Sequence, residues 1–396
     1  MSMATFNRRP NFSRRPNSGL GNIRRGFADP TRNIDWVLMG AVGALTIISS
    51  FIIYSATRPR LLNKGADPFQ FVQRQIIFVI IAIIVMAVVM WMDYVQLRGS
   101  AELFYAVTMV LLILVMVTGA VKGGAKLSFD VGPIALQPSE LAKVATLLLL
   151  TGFLAEDDSK SVSWERFIQS LFIVGVPVVL VAIEPDLGSA SVLVACAMGV
   201  LLVAGAQIRY ISLITSLAIF SAAAGVISGV VKDYQLRRIT GFLNQNSDSA
   251  SLQQLTTQVR FAKRAVATGG FFGKGYLRGP LTNGAFIPVQ STDFVFSAIG
   301  EQFGMIGAML VLGLFVVVLW RVYRIARIAQ DRLGYLICAG VFTMILWQTF
   351  QNIGMTMGIT PVSGVPLPFV SYGGSHTVAF AIMIGLVQSV HMRRFR

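Results

Sequence analysis

The chain has 396 residues, 55% of them hydrophobic and only 13% charged, against about 25% charged in ordinary soluble domains. With a mean hydropathy of +0.69, this excludes a disordered chain, a coiled coil and a soluble globule, and leaves an all-α polytopic membrane protein. The net charge of +15 does not imply nucleic-acid binding, because no soluble basic domain exists to hold it. In a membrane chain, excess Arg and Lys mark cytoplasmic segments. Two cysteines, Cys196 and Cys338, lie in apolar runs and two histidines, His376 and His391, lie elsewhere. Such a set supports neither a disulfide framework nor a zinc site.

In chain order, residues 1–35 are polar and carry seven arginines, which reads as a disordered basic tail. Ten apolar runs follow, at 36–56, 73–92, 101–120, 138–155, 166–183, 188–206, 211–231, 294–320, 335–357 and 376–391. A membrane span needs about 20 such residues. The chain ends on a basic segment, 392–396. Ten spans place both termini on one side. That side collects 18 of the Lys and Arg residues, the short segments opposite hold 7, and the remaining 8 fall in a loop at 232–293. The bias puts both termini in the cytoplasm and makes 232–293 a large extracytoplasmic loop between helices 7 and 8. The acids on the inner side, Asp35 and Asp331 among them, read as solvated surface.

Within the loop, 252–268 has Leu252, Leu255, Val259, Ala262 and Val266 at helical spacing. This predicts an amphipathic helix lying on the membrane. The loop's bases are Lys232, Arg237, Arg238, Arg260, Lys263, Arg264, Lys274 and Arg278, against Asp233 and Asp248. That excess suits a phosphate-bearing lipid or an anionic membrane surface. The glycine-rich stretch 269–275 lacks the P-loop spacing, so no nucleotide is expected; Lys274 there is a candidate phosphate contact.

Four further blocks carry polar residues where an apolar chain would not place them without reason. In Gln137-Pro138-Ser139-Glu140, Pro138 suits a helix start. Glu140 and Lys143 are three apart and can pair on one face, either as a structural lock or as a cavity lining. Glu184-Pro185-Asp186 crowds two carboxylates into a hairpin, which demands partners, a cation or water. Asp293, in Ser291-Thr292-Asp293-Phe294, is either a helix N-cap or a catalytic carboxylate. The stretch 359–375 is apolar but broken by Pro361, Pro366, Pro368 and several glycines. It is therefore a shaped wall rather than a helix.

Together the blocks QPSELAK (137–143), EPDLGSA (184–190), STDFVFSAIGE (291–301) and PLPFVSYGG (366–374) resemble the SEDS family of shape, elongation, division and sporulation proteins, over about 36–391. The stretch 351–364 is more similar to the elongation members than to the division members. The resemblance implies a ten-span peptidoglycan glycosyltransferase that polymerises lipid II into β-1,4-linked glycan with a class B penicillin-binding protein as partner. It implies catalysis by Asp293 and a central cavity lined by Glu140, Lys143, Glu184 and Asp186. For the leaving pyrophosphate the candidates are Arg237, Arg238, Arg264 and Lys274, helped by a divalent cation (Mg²⁺ or Mn²⁺) whose ligands no motif assigns. The same cavity would also serve a lipid II flippase. The sequence departs from the family pattern at Ser128, where a Trp is usual, at Gln302, and at Phe261-Ala262.

Overall fold

The computed structural model describes residues 33–122, 125–131, 134–157, 161–227, 238, 240–245 and 253–395. Arg237 and nearly all of the basic tail lie outside the described residues. Among the described residues eight helices are long and apolar enough to cross a membrane. They are α1 (Trp36–Asn63), α2 (Gln70–Trp91), α4 (Ala101–Thr118), α5 (Pro138–Ala155), α6 (Trp164–Ile183), α11 (Val295–Arg327), α12 (Arg332–Met357) and α13 (Gly374–Met392). Two more apolar helices, α7 (Leu187–Val203) and α8 (Ile208–Ile227), follow α6. The short α3 (Tyr94–Gly99) and α10 (Pro280–Asn283) and the loop helix α9 (Gln253–Gly269) are further helices among the described residues. The chain is a multi-pass membrane protein.

One feature departs from the all-helical expectation. Between α4 and α5 the chain forms a small antiparallel sheet, β1 (Ala120–Lys122), β2 (Ala125–Val131) and β3 (Ile134–Leu136), in the order β1-β2-β3. Three and seven residues are too short for periodicity to separate them from loop.

The bundle is polarised. At one end Asp35 caps α1, accepting from Leu38 N at 3.0 Å, and pairs with Arg321. Its backbone N–H donates to Gln388 Oε1 at 3.1 Å. Arg393, just past α13, donates to Trp91 O at 2.7 Å. The start of α1 and the end of α13 therefore share one end. Asp35 is not solvated surface, as its sequence position suggested. It is 2% exposed, because the start of α1 is tied to α11 and α13 at that point.

The 33 residues of α11 are not one straight rod. Gly304 has φ 64° and ψ −157°, which breaks the helix between two straight segments. The glycine-rich stretch supplies the lost backbone partners. Lys274 N donates to Glu301 O at 2.9 Å, Gly275 N to Gln302 O at 3.0 Å, and Met305 N to Gly270 O at 2.9 Å. A Cβ on Gly304 would stand 2.6 Å from Phe271 O, so glycine is required there for close backbone approach as well as for φ. This stretch is a splint for a broken helix, and Lys274 beside it is exposed.

The helix α9 forms where its periodicity placed it, but its apolar face is used differently. Val259, Ala262 and Ala265 are buried with Leu281, Ile287 and Phe294, packed against the first turns of α11. The stripe is directed into the protein instead of the lipid surface. Arg264 occupies the exposed face.

Candidate active site

The site lies at the end of the bundle opposite Asp35, where α5, α7, α11, α12 and the 359–373 wall converge. Asp293 precedes α11, yet it does not cap the helix. The N-cap position is Phe294, with no side-chain cap. The two readings the sequence left open are thus separated: the Asp293 carboxylate is not spent on the helix terminus. Its backbone is clamped instead. Asn352, fully buried on α12, donates through Nδ2 to Asp293 O and to Val365 O, both at 2.8 Å. Ser371 donates its hydroxyl to Thr292 O, and Tyr372 N donates to Ser291 O at 3.0 Å. The proline- and glycine-broken segment therefore holds the STDF block by its backbone, with the Asp293 side chain beside Gly364.

Burial raises the Asp293 carboxyl from the ordinary carboxylate range to about 6. A hydrogen bond from Thr292 and the charge of Arg238 pull it down, and the charge of Asp186 pushes it up. Arg238 also reaches Ser363 O at 3.5 Å, next to Gly364, where an added Cβ would stand 3.7 Å from Asp293 Oδ2. One guanidinium and two carboxylates thus face one another across the wall.

Asp186 is held from two sides. Its Oδ1 caps α7, accepting from Ser189 N at 3.0 Å. Its Oδ2 accepts from Gln137 Nε2 and Ser139 Oγ, each at 3.2 Å. The QPSE and EPDLGS blocks therefore meet in space. Glu184 is 3% exposed and neither carboxyl oxygen has a hydrogen-bond partner. Burial, with Asp186 adding to it, pushes its carboxyl up to about 8, so it is mainly neutral at pH 7. The neutral state resolves the crowding of two acids in the hairpin.

Glu140 and Lys143 pair as their spacing predicts, Nζ to Oε1 at 2.7 Å, with Lys143 0% exposed. Glu301, a carboxylate inside α11, accepts from Leu281 N at 2.7 Å, Thr282 N at 2.9 Å and Thr282 Oγ1 at 2.6 Å. It anchors α10 beneath the site.

Of the predicted residues, Asp293, Asp186, Glu184 and Arg238 come together, and the Glu140–Lys143 pair adjoins them through Ser139, which bonds Asp186. Arg264 and Lys274 do not join them. Lys263 is placed closer to the wall, donating to Gln245 Oε1 at 2.8 Å, while Gln245 Nε2 donates to Gly358 O at 2.9 Å. The sequence analysis had Lys263 only as part of the basic excess. Asn352 and Ser371 fall inside the quoted motifs but the sequence assigns them no role, although a polar Asn inside an apolar run is a signal. Among the described residues no group of three or more His, Cys, Asp or Glu side chains converges on a metal position.

The sequence matches the cell cycle protein family of the FtsW, RodA and SpoVE type over residues 35–395. The chain belongs to this family. Among its relatives, the stage V sporulation protein E of Bacillus subtilis is 34% identical over 349 residues, 87% of this chain and 93% of that protein. The peptidoglycan glycosyltransferase MrdB of Escherichia coli is 31% identical over 363 residues, covering 91% and 94%. A chain from a solved structure, described as structural coordination of polymerization and crosslinking by a peptidoglycan synthase complex, superposes with a TM-score of 0.77. It is 27% identical, over 92% of this chain and 99% of that one. In this FtsW/RodA/SpoVE chain the four motif blocks meet in pairs: the 366–374 block tethers the backbone of the 291–301 block, and the 137–143 block tethers Asp186 of the 184–190 block.

Proposed function

We infer that this chain is a peptidoglycan glycosyltransferase that polymerises lipid II, with Asp293 as its general base. The observation that supports the base role is the uncapped, half-buried carboxylate held by its own backbone. A base needs its pKa near the working pH and hydrogen-bond reach to the proton it takes. In the reaction, Asp293 accepts the proton of the acceptor GlcNAc 4-hydroxyl. The oxygen attacks C1 of the donor MurNAc, and the bond from C1 to the pyrophosphate oxygen breaks. The electron pair leaves with undecaprenyl pyrophosphate, and the α linkage inverts to β. Arg238 stands where a guanidinium can hold phosphate oxygens through two parallel hydrogen bonds.

A divalent cation would neutralise pyrophosphate charge. Mg²⁺ commonly takes one or two carboxylates and completes its shell with water and substrate phosphates. Asp186 would be the carboxylate to hold it, exchanging a hydrogen bond from Gln137 or Ser139 for the cation, whereas Glu184, neutral and 3% exposed, does not fit as a second ligand. The proposed orientation places both termini in the cytoplasm and the site outside, where lipid-linked substrate is presented. The proposed partner is a class B penicillin-binding protein, which the synthase-complex relative supports. The proposed role is elongation, on the likeness of 351–364.

The test is polymerisation of lipid II by purified protein in detergent, read as glycan on a gel, with Asp293→Asn alongside. Glycan from the wild type and none from a folded Asp293→Asn supports the reading. Comparable glycan from both would remove Asp293 from the base role. Transbilayer movement of lipid II without glycan would favour a flippase.

A further inference from the structure

The mechanism above leaves His376 unused. It sits in the first turn of α13, 4% exposed, edge-on to Phe380 with ring centroids 4.9 Å apart. Its two nitrogens face two acceptors. Nε2 lies 3.3 Å from Leu367 O, and Nδ1 lies 3.6 Å from Glu140 Oε2. Both Nδ1 and that carboxyl oxygen are buried without a hydrogen-bond partner. The other Glu140 oxygen is taken by Lys143.

Leu367 is the hub of a tight turn. Its carbonyl also accepts from Ser371 N at 3.0 Å and Val370 N at 3.2 Å, and its own N–H donates to Ser371 Oγ at 2.8 Å. That same hydroxyl is the donor to Thr292 O. The path from the Glu140–Lys143 pair to the peptide bearing Asp293 therefore runs through one imidazole and one turn. The two ring nitrogens stand on opposite edges of one rigid imidazole, so the ring's position is set jointly by the Leu367 carbonyl and the Glu140 carboxylate.

We propose that His376 is a positioning residue of polymerisation, coupling the buried Glu140–Lys143 ion pair to the Leu367–Ser371 turn and so fixing Thr292 and Asp293. The proposal rests on the reading of Asp293 as the base. It differs from a packing role because the ring acts through its polar edge, not its volume.

The experiment compares wild type, His376→Phe and His376→Gln, full-length and purified, by kcat and KM for lipid II together with thermal melting in detergent. Phe keeps the ring and loses both nitrogens; Gln returns an amide nitrogen at about the reach of Nε2. A misplacement of about 1 Å at a reacting group costs up to about 100-fold. His376→Phe should therefore lower kcat at least about tenfold with KM within about twofold, and His376→Gln should restore most of it. Combined with Ser371→Ala, His376→Phe should do no more harm than the worse single change, since both break one path. A His376→Phe enzyme with wild-type kcat overturns the proposal. So does a kcat loss that tracks melting and is not restored by Gln, or an effect confined to KM. Asp293→Asn, run in parallel, separates the two readings. An active Asp293→Asn enzyme refutes the base, whereas an inactive one beside a fully active His376→Phe enzyme refutes only the coupling.

Discussion

The raised Asp293 carboxyl has a direct kinetic consequence. With a value of about 6, about nine-tenths of the side chain is ionised at pH 7 and about one-tenth at pH 5. Only the ionised form can take a proton, so kcat/KM should fall roughly tenfold between pH 7 and pH 5, with the limb centred near 6. The stability sign runs the other way. A carboxyl raised above its ordinary value of about 3.9 binds its proton more tightly in the folded state. Its contribution to folding is therefore present at low pH and lost as pH rises through about 6.

The neighbours give the limb a signature. Arg238→Gln removes the opposing positive charge and should move the limb to higher pH. Asp186→Asn removes a repelling charge and should move it lower, while Asn still caps α7. The assay is the initial rate of glycan formation from lipid II across pH 4.5–8, with substrate well below KM. A limb near the ordinary carboxylate value of about 4 in all three proteins refutes the argument, as does a downward shift in Arg238→Gln.

Three other outcomes are expected. Asn352→Leu strips the donor from two buried carbonyls, at about 1–3 kcal/mol each. It should lower both the melting temperature and, on the order of 100-fold, the turnover; unchanged turnover would mean the clamp is irrelevant. Lys143→Met leaves Glu140 buried and uncompensated and should destabilise by about 3–5 kcal/mol, with a Glu140→Gln/Lys143→Met double variant recovering part of the loss in thermal melting. For orientation, both native cysteines are buried and give little background. Lys274→Cys should label with an impermeant thiol reagent in intact spheroplasts and Arg327→Cys only after lysis; the reverse pattern inverts the protein in the membrane.

Hydropathy and charge are local and additive along the chain, so the sequence by itself determined the helical membrane class. It also placed the helices, including α5 at 138–155 and the amphipathic α9, to within about four residues at most ends, but stopped α1 at 56 and α11 at 320 where they run on to Asn63 and Arg327. Spacing alone sufficed for the Glu140–Lys143 pair, because residues three apart on a helix share a face. The motif blocks also marked which segments matter. The tertiary structure decided what each polar group does. Asp293 could be a cap or a free carboxylate until Phe294 was found at the cap position. Glycines 269–275 invited a ligand and proved to splint the break at Gly304. Asp35 looked solvated and is buried under Arg321. The partners that build the site are distant in sequence. Gln137 meets Asp186 across 49 residues, Asn352 meets Asp293 across 59, and Ser371 meets Thr292 across 79. Hydrogen bonds are short and directional, so no periodicity encodes which remote donor will stand within 3 Å of an acceptor; only the packed arrangement of helices brings them together.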